Sequence, residues 1–281
     1  MILGDYRIEI VPDCEFRLDG GAMFGVVPRV LWERVCPPDD ANRVKLTCNC
    51  LFIDTGKEKI LIDTGMGEKW TDKEMSKYGI SRARTLGESL RSIAGCGPKD
   101  IDIAINTHLH FDHAGGNTTL AGTIDDTDWE PVTQFANAVY KVSRSEYFRA
   151  EDPHERDRAS YLSKNWETLG LQMELMPEVY EPVEGLTVEQ VRGHSETMQT
   201  IKLTRGGETL YGFYDMIPTS HHLPLPWIMS YDLYPTETLE FKKRILPQAV
   251  EEGWICHFYH DVEMPLARLA IVNDRITAIT M

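Results

Sequence analysis

Thr107-His108-Leu109-His110-Phe111-Asp112-His113 puts three imidazoles and a carboxylate in one short run, directly after the apolar stretch Ile101-Asp102-Ile103-Ala104-Ile105. Imidazole nitrogen and carboxylate oxygen suit zinc and its first-row neighbours. An extended segment projects His108 and His110 to the same side, and the turn that follows can aim Asp112 and His113 elsewhere. Nine histidines in 281 residues make this density a poor match for a chance cluster of exposed rings, so the run reads as a metal site. Upstream, Ile101 to Asn106 reads as a buried strand whose end delivers His108 to the surface, where loops on a rigid sheet carry chemistry.

Working outward, the chain alternates strand and helix signals with no low-complexity segment and no obvious linker. Val44 to Ile53 and Lys59 to Asp63 read as a strand pair turned at Thr55-Gly56. Leu86, Leu90 and Ile93 recur at helical spacing, which predicts a helix from Ser81 to Ala94, stopped by Gly95 and Gly97-Pro98. Strands are expected at Leu186 to Val191, Gln199 to Leu203 and Thr209 to Tyr214, with a turn at Gly206-Gly207. A helix from Thr236 to Glu252 should be kinked or divided by Pro247, since proline removes a helix hydrogen bond and clashes with the preceding turn. Trp254 to Tyr259 and Ala267 to Val272 read as closing strands.

Composition limits the function classes. A chain of 281 residues that is 42% hydrophobic buries a full core, and one domain over 1–281 is expected. The formal charge of −15 argues against a nucleic-acid partner, which needs a basic surface to displace counterions. Residues 1 to 30 lack a basic start with a clean apolar core, and no stretch approaches the roughly twenty apolar residues of a membrane span. A soluble, cytoplasmic protein is therefore expected. Cysteines 14, 36, 48, 50, 96 and 256 show no zinc-finger spacing and no disulfide framework. Strand alternation puts Cys48 and Cys50 on one face, where packing is favoured over ligation, and Cys256 packs in its strand.

Beyond the opening run, Gly193-His194-Ser195 lies in a loop, Asp215 follows the strand-like Thr209 to Tyr214, and His260-Asp261 follows Trp254 to Tyr259. With the HxHxDH run and Leu61-Ile62-Asp63-Thr64-Gly65, these motifs span most of the chain, and it resembles the metallo-β-lactamase superfamily of hydrolases. The resemblance implies an α/β fold, the αββα sandwich of two facing sheets with helices outside. It also implies two divalent metal ions, the first held by His108, His110 and His194, the second by Asp112, His113 and His260, with Asp215 bridging. Zinc is the first expectation, and manganese, cobalt or iron accept the same donors. Asp63 is expected to hydrogen-bond a ligand histidine, fixing its tautomer and raising its basicity. His257 competes with His260, but alternation puts them on opposite strand faces, and a ligand at the strand's end favours His260. His154, flanked by charged residues, reads as a solvated loop.

A metal pair supplies a hydroxide near neutral pH and polarises the bond under attack, so the nucleophile is not a side chain. Asp112, able to reach a metal and the leaving group, is the candidate proton donor. No G-x-S-x-G turn supports a serine triad. Leu18 to Pro28 and Pro224 to Asp232 resemble the branch of quorum-quenching N-acyl-homoserine lactonases and methyl parathion hydrolase. Met23, Phe24, Phe111 and Trp227 are the expected lining of an acyl or aryl pocket, with Met23 and Phe24 on a mobile, glycine-flanked loop. In lactonases of this superfamily a tyrosine lies three positions after the bridging aspartate; here that position is Pro218, and His221 or His222 is expected to reach the pocket instead. The expected activity is lactone opening on a small-molecule acyl lactone or ester. The alternatives are a phosphotriesterase or arylesterase, a single-iron enzyme such as a persulfide dioxygenase, and a non-catalytic metal-binding protein. The apolar N-terminal segment suits packing in a homodimer.

Overall fold

The computed structural model describes residues 1–121 and 130–281. The chain forms two compact units, each drawn from two segments: Met1–Phe16 with Cys48–Glu178, and Arg17–Thr47 with Val179–Met281.

Strands of the first sheet are, in chain order, β1 (Ile2–Leu3), β2 (Tyr6–Asp19), β3 (Arg43–Asp54), β4 (Lys59–Ile62) and β5 (Ile103–Ile105). A small pair, β6 (Thr118–Leu120) and β7 (Pro131–Thr133), stands apart from it, and β8 (Val139–Ser143) and β9 (Met173–Met176) complete the seven-stranded order β1-β2-β3-β4-β5-β8-β9. The long β2 and β3 run on past the unit boundary. The expected hairpin is present: β3 and β4 pair antiparallel, and Gly56 takes a left-handed φ of 82° while its N–H donates to Asp54. β4 then pairs parallel with β5, and Ile60, Leu61 and Ile62 are all buried, as befits a strand covered on both faces.

The predicted helix at 81–94 starts later, at Leu86, because Thr85 and Glu88 form a reciprocal capping box that sets its first turn. Its end widens into a π-turn over Leu90–Ala94, closed by Gly95 in the left-handed region. A helix over Asp72–Tyr78 buries none of its residues, so it carries no apolar stripe for a sequence reading to find; Thr71 and Glu74 cap it instead.

In the second unit, β10 (Val179–Val183), β11 (Leu186–Gln190), β12 (Gln199–Arg205), β13 (Glu208–Gly212), β14 (Ile255–His257), β15 (Leu266–Val272) and β16 (Arg275–Ile279) form a sheet in sequence order. All its neighbours are antiparallel except β13 and β14, whose parallel pairing spans the helix Pro235–Glu251. That helix buries Thr238, Phe241, Lys242, Ile245, Leu246 and Ala249 at helical spacing. Pro247 does not divide it as expected. The carbonyl that loses its partner belongs to Lys243, an exposed residue, so the missing bond is not left in the core. The expected strand at 254–259 contracts to Ile255–His257, and His260 stands in the turn beyond. None of the six cysteines forms a disulfide, and Cys48, Cys50 and Cys256 are fully buried. Among the described residues no helix is long and apolar enough to cross a membrane.

Candidate metal centre

The histidine-rich run leaves β5 as extended chain. His110 still has extended dihedrals, and the chain then winds into a helical turn over Phe111–Ala114 that carries Asp112 and His113. The rings of His108 and His110 lie 4.5 Å apart between centroids, and those of His108 and His113 4.0 Å. All three rings and Asp112 are buried.

Asp63 organises this cluster from behind. Held at a φ of 56°, a conformation aspartate tolerates better than most residues, it is fully buried. Its carboxylate accepts from the Thr107 N–H, from the Thr107 hydroxyl and from His113 Nδ1, each at 2.8 Å. Burial pushes the Asp63 carboxyl up, and the neighbouring His113 and the hydrogen bonds pull it back. Since a carboxylate only accepts, the His113 proton sits on Nδ1 and Nε2 turns its lone pair the other way.

Two charged residues absent from the sequence reading hold the backbone of the run and of the segment just after it. Glu146, fully buried, accepts from the Leu109 N–H at 2.7 Å. Lys69, 1% exposed, donates to the Gly115 carbonyl at 2.5 Å and the Thr118 carbonyl at 2.7 Å, and burial brings its ammonium down to about 7. Neither has a local sequence signature, because the partner lies tens of residues away. The glycines after the run are needed for close approach: a Cβ on Gly115 would come within 2.1 Å of the Met66 carbonyl. Phe111 packs against Trp70 and Tyr78, with ring centroids 5.7 and 5.4 Å away.

The second unit assembles its own donor set. His194 sits in a tight loop whose Ser195 hydroxyl accepts from the Met198 N–H at 3.0 Å. Asp215 lies in a helical turn entered through Tyr214 at a φ of 47°. His260 is fixed by its own N–H donating to the Pro218 carbonyl at 2.9 Å. Nε2 of His194 is 3.3 Å from one Asp215 oxygen, and Nε2 of His260 is 3.1 Å from the other. On the far side of each ring, His194 Nδ1 meets Asp232 at 3.0 Å and His260 Nδ1 meets the Thr47 carbonyl at 2.9 Å.

Those far partners decide the chemistry. A carboxylate and a carbonyl only accept, so both Nδ1 atoms carry protons, and it is Nε2 of each ring that faces the Asp215 carboxylate. In the neutral ring Nε2 offers its lone pair beside a carboxylate oxygen, and buried imidazole and carboxylate donors of this kind suit a divalent ion. The donor set of each unit therefore fits a metal.

Other expected site residues are placed differently. Met23 and Phe24 do not lie on a mobile loop: Gly20–Phe24 is a helical turn capped by Asp19, and both side chains are 1% exposed. Phe24 is stacked on Trp32 and on His222, and the Ala22 carbonyl accepts from the Ser230 N–H, which fixes the turn. His222 is also committed to packing. Thr219 hydrogen-bonds its Nδ1 at 2.8 Å, its Nε2 donates to the Met23 carbonyl at 2.9 Å, and burial holds its pKa down at about 3, leaving no nitrogen for a substrate. His221 and Trp227 are half-buried, Trp227 meeting Phe24 edge-on, and His154 is exposed. His257 is fully buried within β14. Lys242 is a further buried charge, its ammonium donating to the carbonyls of Pro224, Leu225 and Trp227.

The profile of the metallo-beta-lactamase superfamily matches residues 43–207. An N-acyl homoserine lactonase of Bacillus cereus is 29% identical over 169 residues, 57% of this chain and 59% of that protein. Another, from a Bacillus species, is 26% identical over 228 residues, 76% of this chain and 81% of its own length. The crystal structure of a probable metal-dependent hydrolase from Staphylococcus aureus superposes with a TM-score of 0.91 at 29% identity, covering 100% of this chain and 99% of the other. The chain belongs to the metallo-β-lactamase superfamily and has its α/β fold, the αββα sandwich.

Proposed function

We propose that this protein is a dinuclear metal-dependent hydrolase that opens the lactone ring of N-acyl-homoserine lactones, acting as a single hydrolase domain over residues 1–281. The broader class, metal-dependent hydrolysis of ester bonds, follows from superfamily membership and from relatives named as lactonases. The observation that carries the reading is the pair of donor sets. In each, buried imidazoles are oriented by hydrogen bonds on their far side. In this reading His108, His110 and His194 hold one ion, Asp112, His113 and His260 the other, and Asp215 bridges.

Paired divalent ions, when bound, supply a hydroxide at neutral pH and a Lewis acid for the carbonyl. The chain's own residues do the rest. Asp63 and Asp232 keep the rings of His113 and His194 in the tautomer that leaves Nε2 basic. Asp112 would carry a proton across: its carboxylate takes the one released as the attacking water adds and passes it to the departing ring oxygen. Phe111, braced by Trp70 and Tyr78, and Trp227, edge-on to Phe24, are the apolar side chains this reading assigns to the acyl chain. With His222 committed elsewhere, His221 is the remaining candidate to meet the substrate carbonyl where lactonases carry a tyrosine.

Pro218 at that tyrosine position keeps one second reading in view, a phosphotriesterase or arylesterase of the methyl parathion hydrolase type. A rate panel on zinc-loaded protein separates the two. Opening of N-acyl-homoserine lactones with kcat/KM at least about tenfold above that for aryl esters and aryl phosphotriesters supports the lactonase. Phosphotriester turnover without lactone opening would overturn it in favour of the second reading.

A further inference from the structure

Asp232 lies 38 residues after His194 in the chain and has no motif around it, yet its carboxylate is the hydrogen-bond partner of that imidazole. One oxygen is 3.0 Å from His194 Nδ1, and the other accepts from the Thr238 hydroxyl at 2.7 Å. Asp232 is 2% exposed and Thr238 1%, so neither bond competes with water. Backbone bonds staple the same segments together. The Leu233 N–H donates to the His194 carbonyl and the Tyr234 N–H to the Gly193 carbonyl, both at 2.9 Å. Gly193 is glycine for the same reason: a Cβ there would lie 2.5 Å from the Met216 methyl and 2.6 Å from the Thr238 hydroxyl. Thr238 is itself set by the first turns of the helix Pro235–Glu251, so a rigid element stands behind the imidazole.

His260 offers a contrast within the same unit. Its Nδ1 is held by a neutral backbone carbonyl, that of Thr47, whereas His194 is held by a carboxylate. A charged acceptor draws the Nδ1 proton more strongly and raises the electron density at Nε2. We infer that Asp232, braced by Thr238, is the positioning residue of His194: it fixes the ring's rotation and holds the tautomer that leaves Nε2 facing Asp215. The inference rests on the proposal that His194 is a metal ligand.

The test is metal affinity, measured on the full chain by chelator competition with zinc. Asp232→Ala should weaken one of two bound ions by about 10- to 100-fold, the usual effect of removing a partner behind a ligating histidine. Thr238→Val keeps the side chain's shape while deleting the hydroxyl, so the fold is retained, and the same ion should weaken by a smaller factor. In cobalt-loaded protein, the exchangeable His194 Nδ1 proton should give a shifted resonance that disappears in Asp232→Ala and persists in Thr238→Val. A purely structural role would leave that resonance unmoved. His194→Ala is the control for the underlying reading. If it keeps both ions, His194 is not a ligand and the reading itself fails. If it loses an ion while Asp232→Ala and Thr238→Val bind zinc as tightly as the parent, the positioning role is refuted and the reading survives.

Discussion

Asp63→Asn changes one atom and asks whether the buried carboxylate dictates the tautomer of His113. Asparagine tolerates the φ of 56° at this position, so the backbone is not the issue. The native carboxylate accepts three hydrogen bonds, two from Thr107 and one from His113 Nδ1, each at 2.8 Å. An asparagine must turn its NH₂ toward one side. Facing the Thr107 N–H, it sets donor against donor in a fully buried place. Facing the other side, it meets the Thr107 hydroxyl, which can rotate to accept, and His113 Nδ1, which accepts once its proton has moved to Nε2. That second arrangement is the cheaper one, and it leaves the proton on the nitrogen proposed to bind metal. Metal binding must then reverse the tautomer and restore a donor clash, at a cost of about 1.4–2.7 kcal/mol, or 10- to 100-fold in affinity. Chelator competition with metal analysis of the dialysed protein reads this directly, and loss of one ion per chain before the other is the expected pattern. If Asp63→Asn holds both ions as tightly as the parent and folds normally, the hydrogen bond behind His113 does not govern its tautomer.

Lys242→Met should lower stability by about 1–2 kcal/mol at neutral pH, because it strips the donor from three part-buried carbonyls. Its pH dependence has a definite sign. Burial brings the folded pKa down to about 7, whereas the unfolded chain keeps an ordinary lysine, so between pH 7 and about 10.4 the unfolded state binds more protons and this group makes stability rise with pH. Urea titrations across that range should show a steeper rise for the parent than for Lys242→Met; parallel curves would refute the assignment. Gly65→Ala and Gly56→Ala form a matched pair, with φ of 73° and 82°. Only Gly65 has a neighbour in the way, Asp13 at 2.5 Å from the added Cβ. Thermal melts should show Gly56→Ala losing about 1 kcal/mol and Gly65→Ala about 2–4 kcal/mol. Equal losses would mean that the close approach at Gly65 is easily relieved.

What the amino-acid sequence determined by itself was everything written in short-range pattern. The HxHxDH run is readable because its donors are contiguous, and the β3–β4 hairpin because apolar strands flank a glycine turn. The helix Pro235–Glu251 is readable because its buried residues recur every three to four positions. Apart from Asp63, which the family resemblance supplied, tertiary structure alone decided the buried polar partners. Asp232, Glu146, Lys69 and Lys242 are ordinary charged residues in any local window, and each acquires its role only when folding brings a distant imidazole, N–H or carbonyl within hydrogen-bond reach. The same holds for Gly20–Phe24, whose glycines suggested a loose loop. It is a fixed helical turn because Trp32 and His222 close on Phe24. Burial makes such contacts strong and leaves no periodic trace along the chain, since a charge removed from water needs one partner rather than a pattern.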